Sequence, residues 1–373
     1  MMNLNSSKIL RKKLNPVDSG IAFLGAIITF IAASTLFILT LTVFFSDEII
    51  QNSGYLDKLL EMPWVITLST IVTQGSLLAF AIILCKSRRV DLVPAIKMDK
   101  KPNIFILLII PILALFLIVS NLPILAAVED LFRRIGYQIP DVSMDLQSPK
   151  GIIMAVIVMC AIPAFFEELI FRGFVLQGLA SRFKPFTAII LSSLAFSLMH
   201  MSPAQTVHQF LIGIVLAYIV LATDSIWSGI LLHFFNNFWA IMIEVFNING
   251  VVFPFMDNII FIYVGGIFVT ILGLVAIFLA IDFANKDVSQ GNLAQSIKRL
   301  VKRQKYTGYK INYDVILPPA FPTMPMTETD YNNYVISRQK SNRRVFIILY
   351  SVSFAICVGM WILSLMQGVL QSI

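Results

Sequence analysis

Charge is scarce in this chain: Asp, Glu, Lys and Arg make up only 13% of its 373 residues, against 58% hydrophobic residues. Mean hydropathy is +0.84. A water-soluble domain of this length has no use for so much apolar surface, so that class is excluded and a polytopic, mostly helical membrane protein is expected. Cysteine is nearly as rare. Cys85, Cys160 and Cys357 all sit in or at the edge of apolar segments and no CxxC occurs, which excludes a disulfide framework. The hydrolase signatures HExxH and GxSxG are missing, as is a Ser/Lys pattern, and no cysteine has an activating histidine nearby in sequence. A zincin and the common serine and cysteine nucleophiles are thereby excluded. Lys and Arg outnumber Asp and Glu by 28 to 21, but they lie in loops between apolar runs. That placement points to membrane orientation and away from nucleic acid. No solenoid repeat is present, and no inverted repeat of the kind that underlies many transporters.

What is present is a series of apolar runs. Nine spans are expected, at 20–45, 63–85, 103–122, 151–176, 186–199, 203–223, 226–246, 257–283 and 345–366. The first is too long for the apolar core of a signal peptide and reads as a retained span. An interfacial helix is expected at 124–135. In the tail, 297–303 reads as a basic amphipathic helix on anionic lipid, and 306–334, with its four prolines, as extended chain. With the N-terminus in the cytoplasm, 23 basic residues fall on the cytoplasmic side and four on the other. This asymmetry supports the span count and a cell-membrane protein with a cytoplasmic N-terminus. Four regions result: 1–122 with three helices, a core at 123–283, a cytoplasmic tail at 284–344, and a last helix within 345–373.

The core holds the chemistry. Glu167, Glu168 and Arg172 interrupt an otherwise apolar run, where a charge costs about 2.5–3.5 kcal/mol on insertion scales. Glu168 and Arg172 are four residues apart, so they share a helix face and can pair. Glu167 lies about 100° around the helix and remains unexplained by pairing. Phe196 and His200 share a face of the next apolar run, and His233 and Asn237 share a face two runs later. His208 belongs to no such pattern and is expected to be structural or at a rim. A glutamate in a low-dielectric cavity has its charged form disfavoured, which suits it to act as a general base on water. An imidazole opposite it would orient that water or hold a metal. An imidazole N–H and an amide N–H on one helix face would stabilise an oxyanion. These are the parts for amide hydrolysis without a covalent intermediate. The alternative is a transporter, or an immunity or scaffold protein, using the same polar groups.

Taken in order, Glu167-Glu168-x-x-x-Arg172, Phe196-x-x-x-His200 and His233-x-x-x-Asn237 resemble the three motifs of the CPBP intramembrane proteases. This family is also called Abi or CAAX-protease-like and includes the type II CAAX prenyl endopeptidases. The resemblance covers roughly residues 120–285. It implies a helical bundle around an intramembrane cavity and cleavage of a peptide bond near the cytoplasmic side. It implies that Glu167 activates the water, His200 assists, His233 and Asn237 form the oxyanion hole, and Glu168 and Arg172 support. It leaves open whether a divalent metal, zinc, takes part; the ligands would be Glu167, His200 and His233. The implied partners are membrane lipid and a peptide or protein substrate: a lipid-modified CAAX tail, a leader peptide or a bacteriocin-like peptide.

Overall fold

The computed structural model describes residues 13–52, 54–102, 104–138, 144–251 and 328–370. These form eight long helices: α1 (Pro16–Phe44), α2 (Pro63–Arg88), α3 (Ile104–Arg134), α4 (Pro149–Ala180), α5 (Pro185–Met199), α6 (Thr206–Thr223), α7 (Ile226–Ile248) and α8 (Glu328–Leu370). All except α5 are long and apolar enough to cross a membrane. The protein is an all-α polytopic membrane protein. The run expected at 257–283, the basic helix at 297–303 and most of the extended stretch lie outside the described residues.

The helix ends follow from local chemistry. Proline at the first position starts α1, α2, α4 and α5, where its missing N–H costs nothing. Asn15 and Asp18 close a reciprocal capping box on α1. Ser148 caps α4 by accepting from the Gly151 N–H at 3.1 Å. Before it, Asp145 accepts from the Ser148 hydroxyl and from the backbone N–H groups of Gln147 and Ser148, bonds that hold its carboxyl below the usual range. α2 and α6 end in left-handed residues, Arg89 and Asp224.

Two expectations need correction. The interfacial helix at 124–135 does not exist separately; α3 runs unbroken through Pro123 to Arg134. A proline deletes only one backbone bond. Here Ser120 and Asn121 also donate to the carbonyls of Phe116 and Leu117 one turn back, holding the turns that approach it. The last helix begins at Glu328, well before 345, because nothing after Pro325 breaks it.

The bundle has two ends. At one, Asp18 of α1 pairs with Arg88 of α2 at 2.5 Å, and Lys97 pairs with Asp224 at 2.8 Å. The Ile226 N–H donates to Lys97 O there, and the Ser19 hydroxyl meets the Tyr350 hydroxyl of α8 at 2.5 Å. At the other end, the Gln138 N–H donates to Gly368 O, and Trp361 of α8 donates to the Thr206 hydroxyl at 2.8 Å. α7 therefore ends on the face opposite the one where α8 begins. Outward apolar residues such as Leu36, Ile83 and Leu108 remain more than 60% exposed, the expected lipid contacts.

Candidate active site

α4 carries the two glutamates, and its backbone is irregular on both sides of them. Wide π-type turns occupy Val156–Ala161 and Leu169–Val175, flanking an ordinary stretch Ile162–Glu168. Pro163 has no N–H for the carbonyl four residues back, that of Met159. Asn237 of α7 donates its Nδ2–H to that carbonyl at 2.9 Å. A sequence-local defect in α4 is thus closed by a motif residue of α7.

Glu168 and Arg172 are both fully buried and bond directly, Nη1 to Oε1 at 2.6 Å. The same oxygen faces His233 Nδ1 at 3.0 Å. Arg172 Nη2 reaches Gly213 O at 3.4 Å, and the guanidinium carbon lies 4.1 Å above the Phe196 ring. Phe196 also packs edge-on against His200 and His233, with ring centroids 4.8 and 5.7 Å away. The support expected of Glu168 and Arg172 therefore includes His233, which they hold from α4. α7 comes this close because of Gly229. A Cβ there would lie 2.6 Å from Val220 Cγ2 and 2.8 Å from Glu168 Oε2. Gly229→Ala is expected to lower the yield of folded protein; unchanged yield and unfolding temperature would show the contact to be soft.

Glu167 points elsewhere. Its Oε1 accepts from Gln74 Nε2 of α2 at 2.9 Å, and its Oε2 lies 3.8 Å from His200 Nε2. The two do not bond. Facing the Phe196 carbonyl at 2.9 Å, His200 Nδ1 carries the donated proton in the neutral ring, which leaves Nε2 an acceptor. Glu167 Oε2 and Gln74 Oε1 are both buried without a protein partner. Glu167 Oε2 and His200 Nε2 are therefore two acceptors 3.8 Å apart, a pair that one water molecule with two protons to give can bridge.

Glu167, His200, His233 and Asn237 all line one cavity of about 510 Å³, together with Gln74. The convergence works because α5 is only 15 residues long, so His200 at its end reaches the level of α4's centre. His208 is half-buried in the first turn of α6 and does not line the cavity. Gln74 is the residue that sequence reasoning missed. Its only signal was an amide in the middle of an apolar run. Gln74→Leu removes a hydrogen bond to a charged group, worth about 1.5–3 kcal/mol. Peptide turnover is expected to fall by roughly tenfold to a hundredfold with the fold intact. Wild-type turnover in this variant would remove Gln74 from the site.

Glu167, His200 and His233, the expected metal ligands, share the cavity without being grouped as the ligands of one ion. Among the described residues, no group of three His, Cys, Asp or Glu side chains is placed to hold an ion. His233 turns Nδ1 to Glu168, and Phe196 packs against both imidazoles.

Residues 149–239 match the model of the Rce1-like family of type II CAAX prenyl endopeptidases. This segment is similar to the CAAX-protease-like family. The match includes all three motifs and every residue named above except Gln74. The CAAX-protease-like segment is thus α4 to the middle of α7, with α1, α2, α3 and α8 packed around it. No curated protein and no solved structure matches the chain.

Proposed function

We propose that this protein is an intramembrane endopeptidase in which Glu167 activates a water for attack on a peptide carbonyl. The single observation that carries the reading is the pair of acceptors Glu167 Oε2 and His200 Nε2, 3.8 Å apart in two residues that line one cavity. A water held there gives one proton to Glu167 as its oxygen bonds to the carbonyl carbon. The tetrahedral oxyanion is met by the second Nδ2–H of Asn237, the first being used on Met159 O. His233 contributes a donor at Nε2 only when protonated, since its Nδ1–H already faces Glu168. The C–N bond then breaks, and the proton on Glu167 passes to the leaving amine nitrogen. Each atom is accounted for without a covalent intermediate and without a step through a metal.

The cavity also bears on the alternative. A transporter needs a path to both faces. Beyond Arg172, α4 continues with Gly173, Phe174, Val175 and Leu176, all buried in packed core. Among the described residues the cavity therefore has one end, as a hydrolytic site requires.

The test uses purified protein in lipid vesicles and a library of fluorogenic peptides in water labelled with heavy oxygen. Each new C-terminus should carry one heavy oxygen, and added hydroxylamine should trap no acyl-enzyme. An intact library, or a trapped acyl group, counts against the mechanism. Chelator and added zinc, run alongside, test the metal.

A further inference from the structure

The cavity has a direction. On α2 it leaves Gln74 and passes Thr73, Thr70 and Ser69 toward Val65, at the start of that helix, and then Leu60 before it. On α4 it is lined by Val158, Met159 and Pro163, all on the N-terminal side of Glu167. On α1 its wall is Phe30, Ser34, Phe37 and Ile38, in the later part of the helix. These three helix ends belong to one face of the bundle. The way to the other face is closed: Ile170, Phe171 and Phe174 are at most 1% exposed, and Gly173 packs so tightly on Ile96 that a Cβ would lie 2.9 Å from it.

The two faces differ in charge. Within residues 13–251 and 341–370, the closed face carries eleven Lys and Arg, from Lys13 through the 86–101 loop, Arg182 and Lys184 to Arg343 and Arg344. The face toward which the cavity runs carries four, Lys58, Arg133, Arg134 and Lys150. Basic loops stay on the cytoplasmic side of a membrane.

We propose, on the protease reading above, that this site is entered from the non-cytoplasmic face and acts on an uncharged internal stretch of polypeptide presented there. Cleavage near the cytoplasmic side was expected from the sequence; this proposal departs from that expectation. The wall names the substrate chemistry. Among the described residues, its only ionisable side chains are Glu167, His200 and His233, and no Lys or Arg lines it. The hydroxyls of Ser69, Thr70 and Thr73 are bonded to carbonyls of their own helix, which leaves a weakly polar surface. Arg172 is buried and committed to Glu168 and Gly213 O. A free carboxylate a few residues beyond the cut would sit unpaired in this cavity, beside the Glu167 carboxylate. An internal neutral stretch brings no such charge.

Thiol labelling tests access without depending on proteolysis. Cys85, Cys160 and Cys357 are replaced by alanine, and Ser34→Cys, Ser69→Cys or Ser87→Cys is added singly. A membrane-impermeant thiol reagent applied to intact cells should label the Ser34→Cys and Ser69→Cys variants. The Ser87→Cys variant, at the basic end of α2, should react only in opened cells. Labelling of the first two only after opening overturns the proposed access. The substrate class is tested with neutral fluorogenic peptides made in pairs, as C-terminal amide and as C-terminal acid ending three residues past each bond. The amides should be cleaved at least about tenfold faster in kcat/KM. Equal rates, or a preference for the acids, overturn the proposed class. If labelling occurs from outside and no peptide is cut, the access stands and the protease reading falls.

Discussion

Glu167→Gln leaves a folded, membrane-inserted protein whose peptide cleavage falls roughly a hundredfold to ten-thousandfold. The amide keeps the size of the side chain, and its oxygen can still accept from Gln74 Nε2, so the packing between α2 and α4 survives. What is lost is the capacity to take a proton. The water then meets the carbonyl with no base beside it, and the general-base contribution of roughly a hundredfold to ten-thousandfold goes with it. Asn237→Ala behaves differently, because it deletes one oxyanion donor and leaves the base. Turnover of about a hundredth to a thousandth of the original is expected. Its fold should also weaken somewhat, since the Met159 carbonyl loses its donor. Initial rates on the peptide library, with yield and unfolding temperature measured on the same preparations, separate the two. Cleavage by the Glu167→Gln variant at the wild-type rate would end the proposal for Glu167.

The second large effect concerns stability. Glu168→Leu strands two buried donors, the Arg172 guanidinium and the His233 Nδ1–H, whose shared acceptor disappears. Arg172→Met strands one carboxylate that still has His233 beside it. Removing one member of a buried pair costs about 3–5 kcal/mol, so both variants should lose most of their folded yield, Glu168→Leu the more. The double variant removes both charges and leaves an apolar pair of similar volume, so it should recover part of the loss. Monodisperse yield after extraction and the unfolding midpoint give the order. A double variant no better than the worse single one would sink the ion-pair account.

The bond between Glu168 and Arg172 was legible because both partners lie on one helix, where spacing fixes geometry. The role of His233 beside them was not, because 65 positions separate it from Glu168 and only the approach of α7 at Gly229 brings it there. Gln74 lies 93 positions from Glu167, outside every motif, and the apolar run around it reads the same with or without a partner. The continuous α3 was missed for a different reason. Pro123 is a breaker by its own chemistry, and the helix persists because Pro123 is buried and Ser120 and Asn121 bond the carbonyls of the turn before it. The direction of the cavity could not be read at all. It depends on which ends of α1, α2 and α4 stand apart, a property of packing between helices rather than of any one of them.

The contact between the first and last helices has a consequence for how the chain is made. Ser19 and Tyr350 are 331 positions apart, yet their hydroxyls touch, Phe23 packs on Tyr350 and Phe354, and Gly20 lies against Leu349. During synthesis α1 enters the membrane first and α8 last, so one side of α1 stays against lipid until the ribosome has nearly finished. A polypeptide halted before Leu349 leaves the Ser19 hydroxyl without Tyr350 and the Phe23 surface unfilled. Completion of translation is thereby written into the packing of the first helix, where membrane quality control can read it.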